Sequence, residues 1–152
     1  MTTFKTLSRG TRLVLVCGPL LVLSLFFTWQ NVEVDYGRAG IATVPLDGWD
    51  AWGLLLGLLA VATVTLVVLQ QLTDVEMSED VPWSTVVLGL GVAVLAVAVV
   101  KSLTDAGSTW ESYAFVGLAA AVATGAYLDW VAARQPSQPV LARKRRGFSS
   151  IA

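Results

Sequence analysis

The residue with the clearest chemical potential is Asp129, a carboxylate in one of the most apolar parts of the chain. It follows Gly117, Ala121 and Gly125 at steps of four residues within "GLAAAVATGAYLDW", residues 117 to 130. Ionisable groups inside membrane helices carry protons, bind ions or pair with another charge. Because four residues advance a helix by only slightly more than one turn, Asp129 lies near the face of Gly125 and points broadly into a bundle.

A carboxylate in this position needs a partner, and we predict Arg12, with Arg134 as the second choice. Asp129 lies about 7.5 Å deeper than Arg134 along a helix axis, near the boundary of the membrane. Two interpretations stay open. Asp129 serves transport or proton transfer, or it is an interfacial residue beside Trp130 that reaches headgroup water, and the second is favoured.

Composition places the chain among membrane proteins. Its 152 residues are 55% hydrophobic and 14% charged, with a mean hydropathy of +0.69, whereas soluble domains carry about 25% charged residues. With no histidine and a single cysteine, Cys17, an internal disulfide, a redox pair and a His- or Cys-rich metal cluster are excluded. We predict no cofactor, no metal site and no nucleic-acid partner, since the net charge is only −1.

Four apolar segments predict an all-α membrane protein, a four-transmembrane-helix bundle. Each approaches the ~20 residues that a helix needs to cross a bilayer, and none shows the alternation of a barrel strand. The predicted spans are residues 13–29, 51–69, 83–100 and 112–133. Residues 1–133 then form the transmembrane domain, and residues 134–152 form a flexible basic cytoplasmic tail.

Charge and tryptophan patterns predict the topology. Basic residues concentrate on the two terminal segments, which an even number of spans places together, and the positive-inside rule makes that side the cytoplasm. The six tryptophans fall at predicted helix ends, as interfacial residues do. A cleaved secretory signal is the alternative reading of the N-terminus, but "SLFFTWQN" offers no small-residue cleavage site, so a retained anchor is favoured.

The C-terminal tail ends in a basic run that we expect to contact anionic lipid headgroups. The run is Arg143, Lys144, Arg145 and Arg146. Docking on the acidic loop at residues 73–80, or on a partner, is the alternative.

Small residues at four-residue spacing predict helix contact faces, because packing in lipid depends on close approach. These positions are Gly53, Gly57, Gly89, Ala93, Gly117, Ala121 and Gly125. We interpret them as packing faces within one chain, with self-dimerisation as the alternative. In the first helix, Gly18 and Pro19 predict a kink near mid-membrane, since Pro19 frees the carbonyl of Leu15.

Residues 31–50 predict a short outer β-hairpin. Val32, Val34 and Tyr36 alternate with acidic residues, "GRAG" supplies turn glycines, and "IATV" follows. We expect Pro45 to end the hairpin and Asp47 to cap the second helix.

"LVLSLFFTWQ" followed by "LDGWDAWGLLLGLLAV" resembles the uncharacterised small four-helix integral membrane proteins of actinobacteria and related high-GC bacteria. In these an LSLF-x-x-W run ends the first span and GW-D/E-A-W/F opens the second. The resemblance covers mainly the first half of the chain. It implies a multi-pass protein of the bacterial plasma membrane and no particular activity.

The sequence favours a non-enzymatic accessory or scaffold subunit of a membrane assembly. A protein partner would be contacted through the outer hairpin, the basic tail or a helix face. The alternative is a small transporter or channel component that uses Asp129 and the kinked first helix. An enzyme ranks third, because no set of nucleophile, base and orienting residue can be named.

Overall fold

The structure, a computed structural model, describes residues 7–72, 80–105 and 110–135. Within them the chain forms four helices and one two-stranded hairpin. In chain order the elements are α1 (Arg9–Ser24), β1 (Thr28–Asp35), β2 (Ile41–Asp47), α2 (Ala51–Leu72), α3 (Trp83–Thr104) and α4 (Trp110–Arg134). The helices α2, α3 and α4 are long and apolar enough to cross a membrane. The acidic stretch at 73–79 and the basic run at 143–146 lie outside the described residues.

The first helix differs from its predicted span at both ends. Ser8 caps α1, because its Oγ accepts a hydrogen bond from the backbone N–H of Thr11 at 2.9 Å. The helix ends at Ser24, and Trp29, the predicted end of the span, belongs to β1. With 16 residues, α1 is about 24 Å long, which is shorter than the ~30 Å hydrocarbon core.

The predicted hairpin is confirmed, although it begins and ends three residues earlier than the predicted segment 31–50. β1 and β2 pair antiparallel from Asp35 opposite Ile41 towards Thr28 opposite Asp47. A 3₁₀ turn at Gly37–Ala39 joins them; Gly37 and Gly40 adopt φ angles of 64° and 95°, which favour glycine.

Two predictions at the end of the hairpin are wrong. β2 continues through Pro45 to Asp47, because in a two-stranded sheet every strand is an edge, where proline is tolerated. The cap of α2 is Asp50 and not Asp47: a carboxylate oxygen of Asp50 accepts the backbone N–H of Gly53 at 2.6 Å. Asp47 instead accepts the N–H of Trp49 at 3.1 Å, within the turn before the helix.

The helices form a ring in which α1 and α3 each pack against both α2 and α4. Two groups of buried apolar side chains fill the interior. One group is Leu21, Leu25, Trp29, Leu56, Ala60, Val94, Ala98 and Ala119; the other is Val14, Val67, Val87 and Ala126. The start of α1 lies against the C-terminal part of α4. The bundle therefore has a terminal end, at the start of α1, and a hairpin end.

Candidate functional sites at the two ends of the bundle

Asp129 lies at the terminal end, where α4 meets the first turn of α1. Its Oδ2 accepts a hydrogen bond from Thr11 Oγ1 at 2.9 Å, and its Oδ1 accepts one from Ser8 Oγ. Both contacts run from a hydroxyl of the α1 end to the carboxylate of α4, so they join the two helices. The N-terminus of a helix also favours a negative charge, because its free N–H groups carry partial positive charge.

The predicted partner of Asp129 was Arg12, whereas in the structure Asp129 contacts Ser8 and Thr11. Arg12 Nε donates to the backbone carbonyl of Leu7 at 3.0 Å. The second candidate, Arg134, places its guanidinium 3.9 Å from the centroid of the Trp130 ring, a cation–π contact. Short hydroxyl side chains reach Asp129 because α1 and α4 approach closely: the Cα of Gly10 lies beside both the Gly125 carbonyl and the Asp129 carboxylate, leaving no room for a Cβ.

A cavity of about 240 Å³ adjoins Asp129 at the terminal end. All four described helices contribute to its wall. The lining residues are Thr11, Val67, Gln70, Gln71, Ser84, Val87, Asp129 and Ala133. The buried Nε2 of Gln70 has no hydrogen-bond partner in the described part of the chain. The cavity therefore combines one carboxylate, several uncharged polar groups and an unused amide donor.

A second charged cluster, which the sequence did not single out, lies at the hairpin end around Lys101. The side chain of Lys101 is 0% exposed, and its Nζ lies 2.6 Å from Asp50 Oδ2 and 3.0 Å from Asp105 Oδ2. The same Nζ lies 5.2 Å from the centroid of the Trp29 ring. The cluster connects the end of α3, the start of α2 and β1.

Burial and short contacts shift the pKa of Asp50 in this cluster in opposite directions. Burial alone would raise the pKa of Asp50, but the Lys101 ammonium and the N–H groups of Gly53 and Trp52 outweigh it, and the pKa lies below its ordinary value. Lys101 also lies in the last turn of α3, where the helix dipole favours a cation. In the sequence, the spacing of Lys101 and Asp105 by four residues at a helix end is the signal that points to this cluster.

Trp29 secures the base of the hairpin. It is 0% exposed, and its Nε1 donates to the carbonyl of Ser24 at 2.9 Å. Gly48 N–H donates to the carbonyl of Leu25 at 2.8 Å, so the chain returns to the end of α1 before α2 begins. The sequence placed Trp29 at the membrane interface, whereas the structure places it in the core beside Phe115.

Three of the predicted packing glycines lie in close contacts. Gly125 contacts α1, where a Cβ would lie 2.7 Å from the Gly10 carbonyl oxygen, and Gly57 contacts Leu25. Gly53 is buried against the carbonyl of Gly48, in the loop before its own helix and not against another helix.

Two of the predicted packing glycines lie away from the contacts between the described helices. A Cβ on Gly89 or Gly117 would meet no described atom within 4 Å, and Ala93 and Ala121 are half-buried. The contact of α3 with α4 instead passes through Gly91, whose Cβ would lie 3.0 Å from that of Ala126.

Gly18 and Pro19 both lie near α2, but they differ in exposure. Gly18 is buried against Val64 of α2, whereas Pro19 is exposed and helps line an apolar groove of about 360 Å³ between α1 and α2. α1 stays helical through Pro19. Among the described residues no three histidine, cysteine or carboxylate side chains cluster as metal ligands.

No protein-family model, curated protein or solved structure matches the chain.

Proposed function

We propose that the chain is a non-enzymatic accessory or scaffold subunit of a membrane assembly, held in a bacterial plasma membrane by four spans. The supporting observation is a contrast in how its polar groups are used. Asp129, Lys101 and Asp50 join helices to one another. In the hairpin beyond its base, by contrast, one face is exposed and the other is only half-buried.

The hairpin is proposed as the surface that meets a protein partner. Its base is fixed by Trp29 and Gly48, so the strands project from a rigid support. Beyond the base, Tyr36 and Ile41 are 57% and 70% exposed. A hairpin of two strands is marginally stable alone, and exposed apolar side chains next to free strand edges favour association.

The proposed topology places the hairpin outside the cell. Lys5 precedes α1, Arg9 and Arg12 lie in its first turn, and Arg134 ends α4. The positive-inside rule therefore assigns the terminal end to the cytoplasm. The run at 143–146 would then lie where anionic headgroups attract it.

The experiment is purification of the tagged full chain from its membrane in gentle detergent, with quantification of every co-purifying membrane protein. The double variant Tyr36→Ala, Ile41→Ala removes two exposed hairpin side chains. Leu103→Ala, at a 78% exposed position at the end of α3, is the matched control. Scaffold function predicts one stoichiometric partner that the double variant loses and the control retains. Recovery of the bare chain alone, or equal recovery by both variants, would contradict the proposal.

A small transporter or channel component is the second candidate, because Asp129 borders a cavity. It predicts an ion or proton flux in proteoliposomes that Asp129→Asn abolishes while the protein stays folded. Absence of flux through the wild-type chain for every tested ion eliminates this candidate.

A further inference from the structure

The described lining of the cavity at the terminal end carries a negative charge. Among the residues that the structure describes, Asp129 is the one charged side chain in its lining, and none of the lining side chains is basic. Ser8 and Thr11 occupy one site on each carboxylate oxygen, whereas a carboxylate offers about four lone-pair sites. The carboxylate can therefore accept further hydrogen bonds from a ligand, and a single negative charge in partly apolar surroundings favours a singly charged cation.

Gln70 indicates that the ligand also carries a hydrogen-bond acceptor. Its Nε2 is buried without a hydrogen-bond partner among the described residues, although buried polar groups in proteins nearly always have one. Since Gln70 lines the same cavity as Asp129, an occupant with an oxygen acceptor would satisfy this donor. A ligand suited to both residues carries a cationic donor and an oxygen acceptor.

Size limits the ligand further. A cavity of 240 Å³ corresponds to about eight water molecules at ~30 Å³ each, and it lies below the ~300–1,000 Å³ of pockets for drug-sized ligands. It is too large for direct coordination of a bare metal ion by its wall. A small organic cation of a few heavy atoms fits it.

We propose that this cavity binds a small amine that also carries an oxygen acceptor, and a small amino alcohol such as ethanolamine represents this class. The ammonium donates to Asp129, and the oxygen accepts from Gln70 Nε2. The same chemistry is presented by free ethanolamine and by the headgroup of an ethanolamine lipid. The site is separate from the hairpin, so it holds whether or not the hairpin binds a partner.

Three probes of similar size separate the contributions in thermal-shift and calorimetric titrations of the full chain in detergent. Ethanolamine carries both groups, ethylamine lacks the oxygen, and ethylene glycol lacks the charge, all compared at equal ionic strength with KCl. Ethanolamine is expected to stabilise the protein and to bind about tenfold more tightly than ethylamine, the effect of one buried hydrogen bond. Ethylene glycol is expected to have no effect.

Variants assign the contacts. Gln70→Leu is expected to lower ethanolamine affinity to that of ethylamine and to leave ethylamine unchanged, while Asp129→Asn removes binding of both. Thr85→Val, at the exposed position next to Ser84, is the control that keeps full affinity. If Asp129→Asn fails to fold, the Gln70→Leu comparison decides alone. Equal effects of ethanolamine, ethylamine and KCl, or an unchanged ethanolamine affinity in Gln70→Leu, would overturn the proposal.

Nanodiscs identify the source of the ligand. If a lipid headgroup occupies the cavity, ethanolamine binding measured in phosphatidylcholine nanodiscs is lost when phosphatidylethanolamine is included. If the free amine is the ligand, binding is the same in both. Each result supports the shared chemistry, and loss of binding in the phosphatidylcholine nanodiscs as well would contradict it.

Discussion

The ammonium of Lys101 lies 2.6 Å from the carboxylate of Asp50, and the lysine side chain has no exposed surface. This contact joins the end of α3 to the start of α2 and covers the face of Trp29. Because the hairpin leaves the bundle beside these residues, the pair connects helix packing to the position of the hairpin.

Replacing Lys101 by methionine should lower the free energy of unfolding by about 3 kcal/mol, because removing one partner of a buried ion pair leaves the other charges uncompensated. Asp50 and Asp105 would both lose their contact with the Lys101 ammonium. Unfolding in mixed micelles, followed by tryptophan fluorescence, measures the loss. Arg38→Met also replaces a basic residue by methionine, but at an exposed position in the hairpin turn, and it should have little effect. Equal stability of Lys101→Met and wild type would refute a stabilising role.

Stability should fall in acid through Asp50. Its pKa lies below the ordinary value, so the folded state binds the proton more weakly than the unfolded state. The resulting stabilisation is present above the ordinary pKa of about 4 and is lost as the pH falls through the folded value. Thermal unfolding between pH 7 and pH 3 should show a smaller decline for Asp50→Asn than for wild type. Glu33→Gln, at an exposed position of β1, should keep the wild-type decline.

Gly125→Ala should destabilise the bundle by about 1–3 kcal/mol, the usual cost of overpacking. Its Cβ would lie 2.7 Å from the Gly10 carbonyl oxygen and 3.0 Å from Leu13 Cβ, so α1 and α4 would have to separate. Gly117→Ala on the same helix is the matched control, since its Cβ meets no atom of the described residues within 4 Å. Unfolding of the two variants side by side checks this. A larger loss for Gly117→Ala would mean that α4 uses its other face.

Thr11→Val should cost about 1.5–3 kcal/mol, the range for a hydrogen bond to a charged group. The substitution keeps the shape of the side chain and removes the donor 2.9 Å from Asp129. In a double-mutant cycle with Asp129→Asn, the two changes should be non-additive. Thr124→Val removes a hydroxyl that bonds to the Ala120 carbonyl of its own helix, and it should be nearly neutral. Additive effects of Thr11→Val and Asp129→Asn would exclude a direct contribution from the contact.

The sequence by itself determined the apolar character and approximate positions of the helical segments, and the hairpin with its turn glycines. These follow from local properties: the length of apolar runs, the alternation in residues 31–36 and the conformational freedom of Gly37 and Gly40. The sequence also indicated Asp129 as the candidate functional charge, although it predicted Arg12 as its partner and not Ser8 and Thr11.

The tertiary structure decided which face of each helix points inward. A helix that is apolar all round has no polar face to mark its orientation, and lipid is as apolar as leucine, so spacing groups residues without orienting them. For this reason the sequence pattern could not show that Gly91 of α3 contacts α4 whereas Gly89 does not. The partners of Asp129 and Lys101 were decided in the same way: they depend on how closely α1 approaches α4 and α3 approaches the start of α2, distances that arise only when the helices pack.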